Sequence, residues 1–133
     1  MIIFTKRFLG KHQGRAFWFL VLVHPDLRDS PSLPALVEHE KTHGRQFRNH
    51  PVKYIKAYGP TLFDWWDDSP EAQKAREEFE VEAYKVQCKL DFNPGQYASY
   101  LANDYGLNIP FDEAYFKITG MLPGPDTIKK WSN

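Results

Sequence analysis

The chain has 133 residues with seventeen basic and seventeen acidic side chains, a formal net charge of +0. That length suits one domain over residues 1–133, with a core that needs no disulfide, and the balanced charge excludes a strongly electrostatic partner such as nucleic acid or an anionic membrane surface. The single cysteine, Cys88, excludes an intrachain disulfide and a cysteine-built zinc cluster, and fits a reducing compartment.

In chain order, the first 23 residues read as β-structure. "MIIFT" and "AFWFLVLV" are rich in β-branched and aromatic residues, and the polar "GKHQGR" between them supplies turn chemistry, which predicts a hairpin. The apolar run at residues 16–23 is too short to cross a bilayer. Basic residues precede it, but "HPDLRDS" follows with no small-residue cleavage site, so a buried strand is expected rather than a signal peptide, and a cytoplasmic location. "HPDLRDSPSLP" reads as a loop in which Ser30 or Ser32 caps a helix over residues 33–48. A short helix is predicted over 51–59, then an irregular aromatic stretch, "PTLFDWWDDS". Ser69, Pro70 and Glu71 place cap, proline and early acid in helix-starting order, predicting a long helix to residue 90. Short helices follow over 96–105, 111–118 and 126–131. The expected fold class is α+β: a small N-terminal β-hairpin or sheet packed on two long helices, with short C-terminal helices.

The chemistry concentrates in "ALVEHEKTHGRQ", residues 35–46. At about 100° per residue, His39, His43 and Gln46 share one helical face. Imidazoles at i and i+4 can hold one metal ion, and Glu40 sits one step around, placed to reach a metal-activated water. Zinc lowers the pKa of such a water to about 7, and a carboxylate can then take its proton. The competing reading is a polar surface helix with two solvated histidines.

A catalytic zinc site needs a third protein ligand, and "EEFEVEAYKVQ", residues 77–87, offers four glutamates. On a helical wheel Ala72, Ala75, Phe79, Ala83, Val86 and Leu90 form a core face, while Glu71, Lys74, Glu78, Lys85 and Lys89 form a solvated stripe that Glu82 borders. Glu80 points almost opposite that stripe, among Tyr84 and Gln87. A carboxylate turned away from water needs a cation: a metal ion, or Arg76 one turn earlier. Asp64, Asp67 or Asp68 could also supply the ligand, without a helix to fix it.

"HEKTHGRQ" followed by "FEVEAY" resembles the gluzincin zinc metallopeptidases, and more narrowly their minimal, single-domain phage and bacterial forms that read H-E-x-x-H-x-x-Q and then E-x-E-A-Y. The resemblance covers residues 16–88 and leaves 89–133 outside it. It implies a small sheet, an active-site helix and a glutamate helix, with His39, His43 and Glu80 on Zn²⁺ and Glu40 as general base. Tyr84 and Gln46 would then support the ligands or the substrate; many gluzincins carry aspartate where this chain has Tyr84, hydrogen-bonded to a zinc histidine, and tyrosine could make a similar bond. The implied activity is hydrolysis of peptide or peptidoglycan-stem amides, with a peptide or protein substrate adding as a strand beside "AFWFLVLV". The alternative is a catalytically inactive zinc-bound scaffold serving as a structural or phage-associated interaction protein, its fourth coordination position closed by a side chain such as Asp67 or His50. Tyr97, Tyr100, Tyr105 and His50 are candidates for stabilising an oxyanion, whereas His12 and His24 read as loop histidines. No oligomeric state is implied.

Overall fold

The apolar run at residues 16–23 is divided between two strands. In the computed structural model, which describes residues 1–7, 9, 12–17, 19–59 and 67–132 (Phe17 by its backbone alone), strand β2 spans Gly14–Phe17 and strand β3 spans Leu20–Val23. They pair antiparallel, with Gly14 opposite Val23 and Phe17 opposite Leu20. Strand β1, Ile2–Phe4, pairs with β3 in parallel, with Ile2 opposite Val21, so the sheet order is β1-β3-β2. This corrects the expected hairpin between "MIIFT" and the whole run: the chain reverses inside the run, between Phe17 and Leu20. Burial explains the division. A continuous apolar stretch suits a strand covered on both faces, and only β3 holds that central place, with Val21, Leu22 and Val23 buried. β2 is an edge strand and only partly buried where its side chains are described.

A short 3₁₀ turn, Pro25–Leu27, follows, and the His24 Nδ1 accepts the Asp26 backbone N–H at 3.3 Å. Helix α1 spans Leu33–Asn49. Ser32 occupies its cap position but makes no side-chain cap bond; the Ser30 and Ser32 hydroxyls bond each other at 2.8 Å instead, because the Ser32 backbone is already helical. Helix α2 is Pro51–Tyr58 and helix α3 is Pro70–Leu90. The start of α3 follows the sequence signal: the Ser69 hydroxyl accepts the Ala72 N–H at 3.3 Å and Glu71 lies in the first turn. Helices α4, Pro94–Asn103, α5, Phe111–Thr119, and α6, Pro125–Trp131, complete the chain. α4 begins two residues earlier than expected, because Pro94 is tolerated in a first turn, and ends before Tyr105, which lies in the following turn where Gly106 takes φ 62°. α5 ends on Gly120 at φ 75°, the left-handed stop that glycine favours.

The α+β architecture places the sheet on α1 and α1 on α3, with α2 also packed on α3 and α4 and α5 against its second half. Ala72, Ala75, Phe79 and Ala83 are buried as the wheel predicts, and the small alanines let neighbouring helices approach closely. Val86 is only partly buried and Leu90 is exposed, since the core face runs out near the end of α3. The opposite face of α3 is buried too: Tyr84 joins Tyr97, Ala98, Leu101, Leu107, Phe111, Ala114 and Ile118 in a C-terminal cluster. α3 is therefore covered on two sides, which is how Glu80 comes to lie inside the protein. Among the described residues, no helix is long and apolar enough to cross a membrane.

Candidate metal centre

The i, i+4 spacing on α1 brings the two imidazoles edge to face, with ring centroids 4.8 Å apart and Nε2 atoms 3.1 Å apart. Glu80 reaches them from α3, with Oε2 3.5 Å from the His39 Nε2 and Oε1 3.4 Å from the His43 Nε2. All three side chains are buried, Glu80 at 1% exposure. His39, His43 and Glu80 thus form a buried group that could hold a metal ion. One donor atom from each side chain lies within 4.8 Å of the others, and each histidine is near a different Glu80 oxygen, spacings of the order an ion requires. Donors bound tetrahedrally at 2.0–2.1 Å lie about 3.3 Å apart along each edge. Without a cation, the two Nε2 atoms could share at most one proton, and the buried Glu80 Oε2 has no hydrogen-bond partner. That is a costly arrangement for groups removed from water.

The surrounding residues fix how these three side chains present themselves. The His43 Nδ1 lies 2.8 Å from the Gln46 Oε1, and the Gln46 amide nitrogen donates to the Phe79 carbonyl at 3.0 Å and to a Glu82 carboxylate oxygen at 2.8 Å. Two acceptors on one side assign the amide: its nitrogen faces α3 and its oxygen faces His43. In the neutral ring the His43 proton then belongs on Nδ1, which leaves the Nε2 lone pair toward Glu80. The Tyr58 hydroxyl donates to the Glu80 Oε1 at 2.7 Å. Burial, reinforced by the Glu80 charge, pushes the Tyr58 pKa well above its usual value, so this hydroxyl keeps its proton. Tyr54 and Tyr58 also pack edge-on against the His43 ring.

Burial opposes a charge on His43, but the adjacent Glu80 carboxylate outweighs it and lifts the pKa to about 9. Glu80 is held well below the usual carboxylate range: burial opposes ionisation, and His43 and His39 overcome it. Glu40 behaves differently. It lies 6% exposed against β2, close enough that a Cβ on Gly14 would stand 2.9 Å from its Oε1. Burial raises its pKa; His39 and His43 oppose this, Glu80 adds to it, and Arg15 opposes it. An open pocket of about 160 Å³ reaches Glu40 and His39, bounded by His12 and Gly14 on one side and by Tyr84, Gln87, Tyr100, Asp104 and Tyr105 on the other.

Several expectations need correction. The Tyr84 hydroxyl does not bond a histidine: it bonds the Tyr105 hydroxyl at 2.7 Å, while the Tyr84 ring packs edge-on against His39 at 4.6 Å, because the phenol carries its oxygen past the imidazole. Arg76 is not the partner that accounts for Glu80, whose ion pairs are with the histidines. Its guanidinium donates to the carbonyls of Ala57 and Asp67, at 3.0 and 3.2 Å. Ala57 lies in the last turn of α2, where carbonyls lack helical donors. Asp67 turns away from the centre, 3.2 Å from the Lys56 ammonium and accepting the Ser69 N–H at 2.8 Å. Asp68 is not in the ligand group, and Asp64, with residues 60–66, lies outside the described residues. Of the oxyanion candidates, Tyr100 and Tyr105 line the pocket. Tyr97 donates to Asp91 at 2.9 Å, and His50 is exposed at the α1–α2 junction. His12 lies in a loop, as expected, and also lines the pocket, and His24 is the loop cap described above.

Tyr58 and Glu82 were missed from sequence. "YIKAY" carries Tyr54 and Tyr58 at helical spacing, a signal that one face of α2 is built to pack. The second glutamate of "FEVEAY" was legible only as the border of a charged stripe. Comparison with family models, curated proteins and solved structures finds no match to this chain.

Proposed function

We propose that this chain is a zinc-dependent hydrolase of peptide or peptidoglycan-stem amide bonds, built on a gluzincin-like arrangement. The observation that carries the reading is the convergence of three buried ligands with a fourth buried group, Glu40, that opens onto the same pocket as His39. His39, His43 and Glu80 would hold the ion: two imidazoles and one carboxylate are a donor set suited to zinc with a coordination position left open. When bound, the ion would supply an acidified water and polarise a carbonyl.

The chain's own residues supply the rest. Glu40 is not among the ligands, and its raised pKa suits a carboxylate that must take a proton from the attacking water and return it to the leaving nitrogen. Gln46 holds His43 in the tautomer that leaves Nε2 free for a ligand bond, and Tyr58 holds one oxygen of Glu80. Gly14 brings the backbone of β2 against Glu40. Among the described residues the sheet order ends at β2, and a peptide adding as a strand to that edge would lie beside the base.

Two measurements test this. Metal analysis of protein purified without chelator is expected to find one zinc per chain, lost in Glu80→Ala; protein without zinc would end the proposal. Glu40→Gln is expected to keep the metal and to lower hydrolysis of a broad peptide library by about 10²-fold or more. Equal turnover by both proteins would show that the centre is not a hydrolase.

A further inference from the structure

The pocket beside Glu40 has a second acidic wall that the catalytic reading does not use. Asp104 closes α4 and lines the pocket together with Tyr100 and Tyr105. Among the described residues, no hydrogen bond or ion pair engages the Asp104 carboxylate, and no lysine or arginine lines the pocket. The hydrophobic cluster under α4 fixes its position: Leu101, fully buried, and Leu107 flank it in sequence and pack with Phe111 and Tyr84. The Asp104 charge is also felt across the pocket, where it adds to the burial that holds the Tyr84 pKa well above its usual value.

A divalent ion bound by His39, His43 and Glu80 would leave a net single positive charge, with Glu40 beside it and Arg15 close enough to lower the Glu40 pKa. Asp104 brings a further negative charge to the pocket wall, and no lysine or arginine is among the described residues that line it. The wall around it is aromatic at Tyr100 and Tyr105 and aliphatic at Leu36. Aromatic faces attract a cation, and an aliphatic surface accommodates its stem.

We infer that Asp104 is a specificity-determining residue, and that the ligand entering this pocket presents a primary ammonium group to it. The ammonium can come from a free peptide amino terminus or from the side chain of a lysine or other diamino acid. Recognition of the ammonium rests on the hydrolase reading only for the bond cleavage that comes after binding.

The test is binding, measured by calorimetry on zinc-loaded protein carrying Glu40→Gln, so that no turnover intervenes. The probes are a tripeptide with a free amino terminus, its N-acetyl form, and N-acetyl peptides beginning with lysine or norleucine. At least one ammonium-bearing probe is expected to bind about 10-fold or more tightly than its neutral counterpart. Asp104→Asn should abolish that preference and Asp104→Glu should retain it, with zinc content and Tm unchanged in both. Preference for the free terminus identifies the α-amino group; preference for lysine identifies the side chain. Equal affinity for charged and neutral probes, failure of all probes to bind, or a preference that survives Asp104→Asn would each overturn the inference. Charge preference without hydrolysis by the Glu40 protein would retain it while removing the hydrolase reading, and hydrolysis without charge preference would do the reverse.

Discussion

Gln46→Leu removes the side chain that orients His43, one of the three proposed ligands, from outside the ligand group. In the native site the His43 Nδ1–H donates to the Gln46 Oε1 at 2.8 Å, and both amide protons of Gln46 are spent on α3, at Phe79 and Glu82. Leucine has nearly the same volume and keeps the packing, while exposed Glu82 regains water and loses little. The damage is therefore confined to His43. A buried N–H without an acceptor costs about 1–3 kcal/mol. The metal-free ring, which holds a second proton at pH 7.5, can escape that cost by giving up the proton on Nδ1 and keeping the one on Nε2, which faces Glu80 at 3.4 Å. That tautomer has no lone pair to offer, so metal binding must reverse it. Loss of such an orienting partner typically weakens metal affinity 10–100-fold, or about 1.4–2.8 kcal/mol, which agrees with the cost of the orphaned donor. Competition against a chromophoric zinc chelator at pH 7.5 measures the change, and ¹⁵N NMR of the ring reads the tautomer. An unchanged zinc Kd would refute the assignment, as would a wild-type metal-free His43 with its proton on Nε2 alone.

Three further outcomes are expected from the same geometry. Gly14→Ala places a Cβ 2.9 Å from the Glu40 Oε1, so the carboxylate must shift; hydrolysis should fall about 10²-fold with zinc affinity near wild type, and equal loss of both would show that Gly14 matters for folding rather than for the base. His43 has its pKa raised from 6.5 to about 9, so the metal-free folded protein keeps this proton at pH 7.5 and zinc must expel it. Calorimetry in buffers of different ionisation enthalpy should find about one proton released at pH 7.5 and less at pH 10. The same shift contributes stability to the metal-free protein that is complete below pH 6.5 and lost as pH rises through about 9. Burial pushes the Cys88 thiol up to about 11, with a small opposing effect from the Asn93 backbone. Iodoacetamide at pH 8 should therefore modify the folded protein about 100-fold more slowly than the unfolded chain; similar rates would show that the thiol is not held in that environment.

What could be read from the sequence depended on whether a residue's role was set along a helix or across the fold. His39, Glu40 and His43 lie within one helical turn and a half, so spacing alone placed them. Glu80 needed one further step, a wheel on which four glutamates separate by direction. Its buried place between the histidines comes from the two-sided burial of α3. The β-strands were less legible because a continuous apolar run carries no periodicity to mark a turn, and because β1 pairs in parallel with β3 rather than in the expected hairpin. The pocket wall was not legible at all. His12 and Gly14 arrive there through sheet pairing, and Tyr105 and Asp104 through packing of α4 on Tyr84. None of these residues has a local pattern that points to the histidines.

The glutamates of "FEVEAY" show how local geometry and tertiary structure divide the work. Residues two apart on a helix point about 200° away from each other, so Glu80 and Glu82 cannot both face the histidines. Sequence reasoning kept Glu80 and left Glu82 at the edge of a solvated stripe. Yet both act on His43. Glu80 does so directly at 3.4 Å, and Glu82 does so from the far side, by holding the Gln46 amide that fixes the His43 proton. The link exists because α1 crosses α3 where Gln46 can reach the Phe79 carbonyl and the Glu82 carboxylate together. A carboxylate on the solvated side of a helix thereby shares with the Phe79 carbonyl in orienting the amide that faces a buried imidazole on its neighbour. Removing the Glu82 charge should accordingly weaken zinc binding less than Gln46→Leu does, since the Phe79 carbonyl still orients the amide.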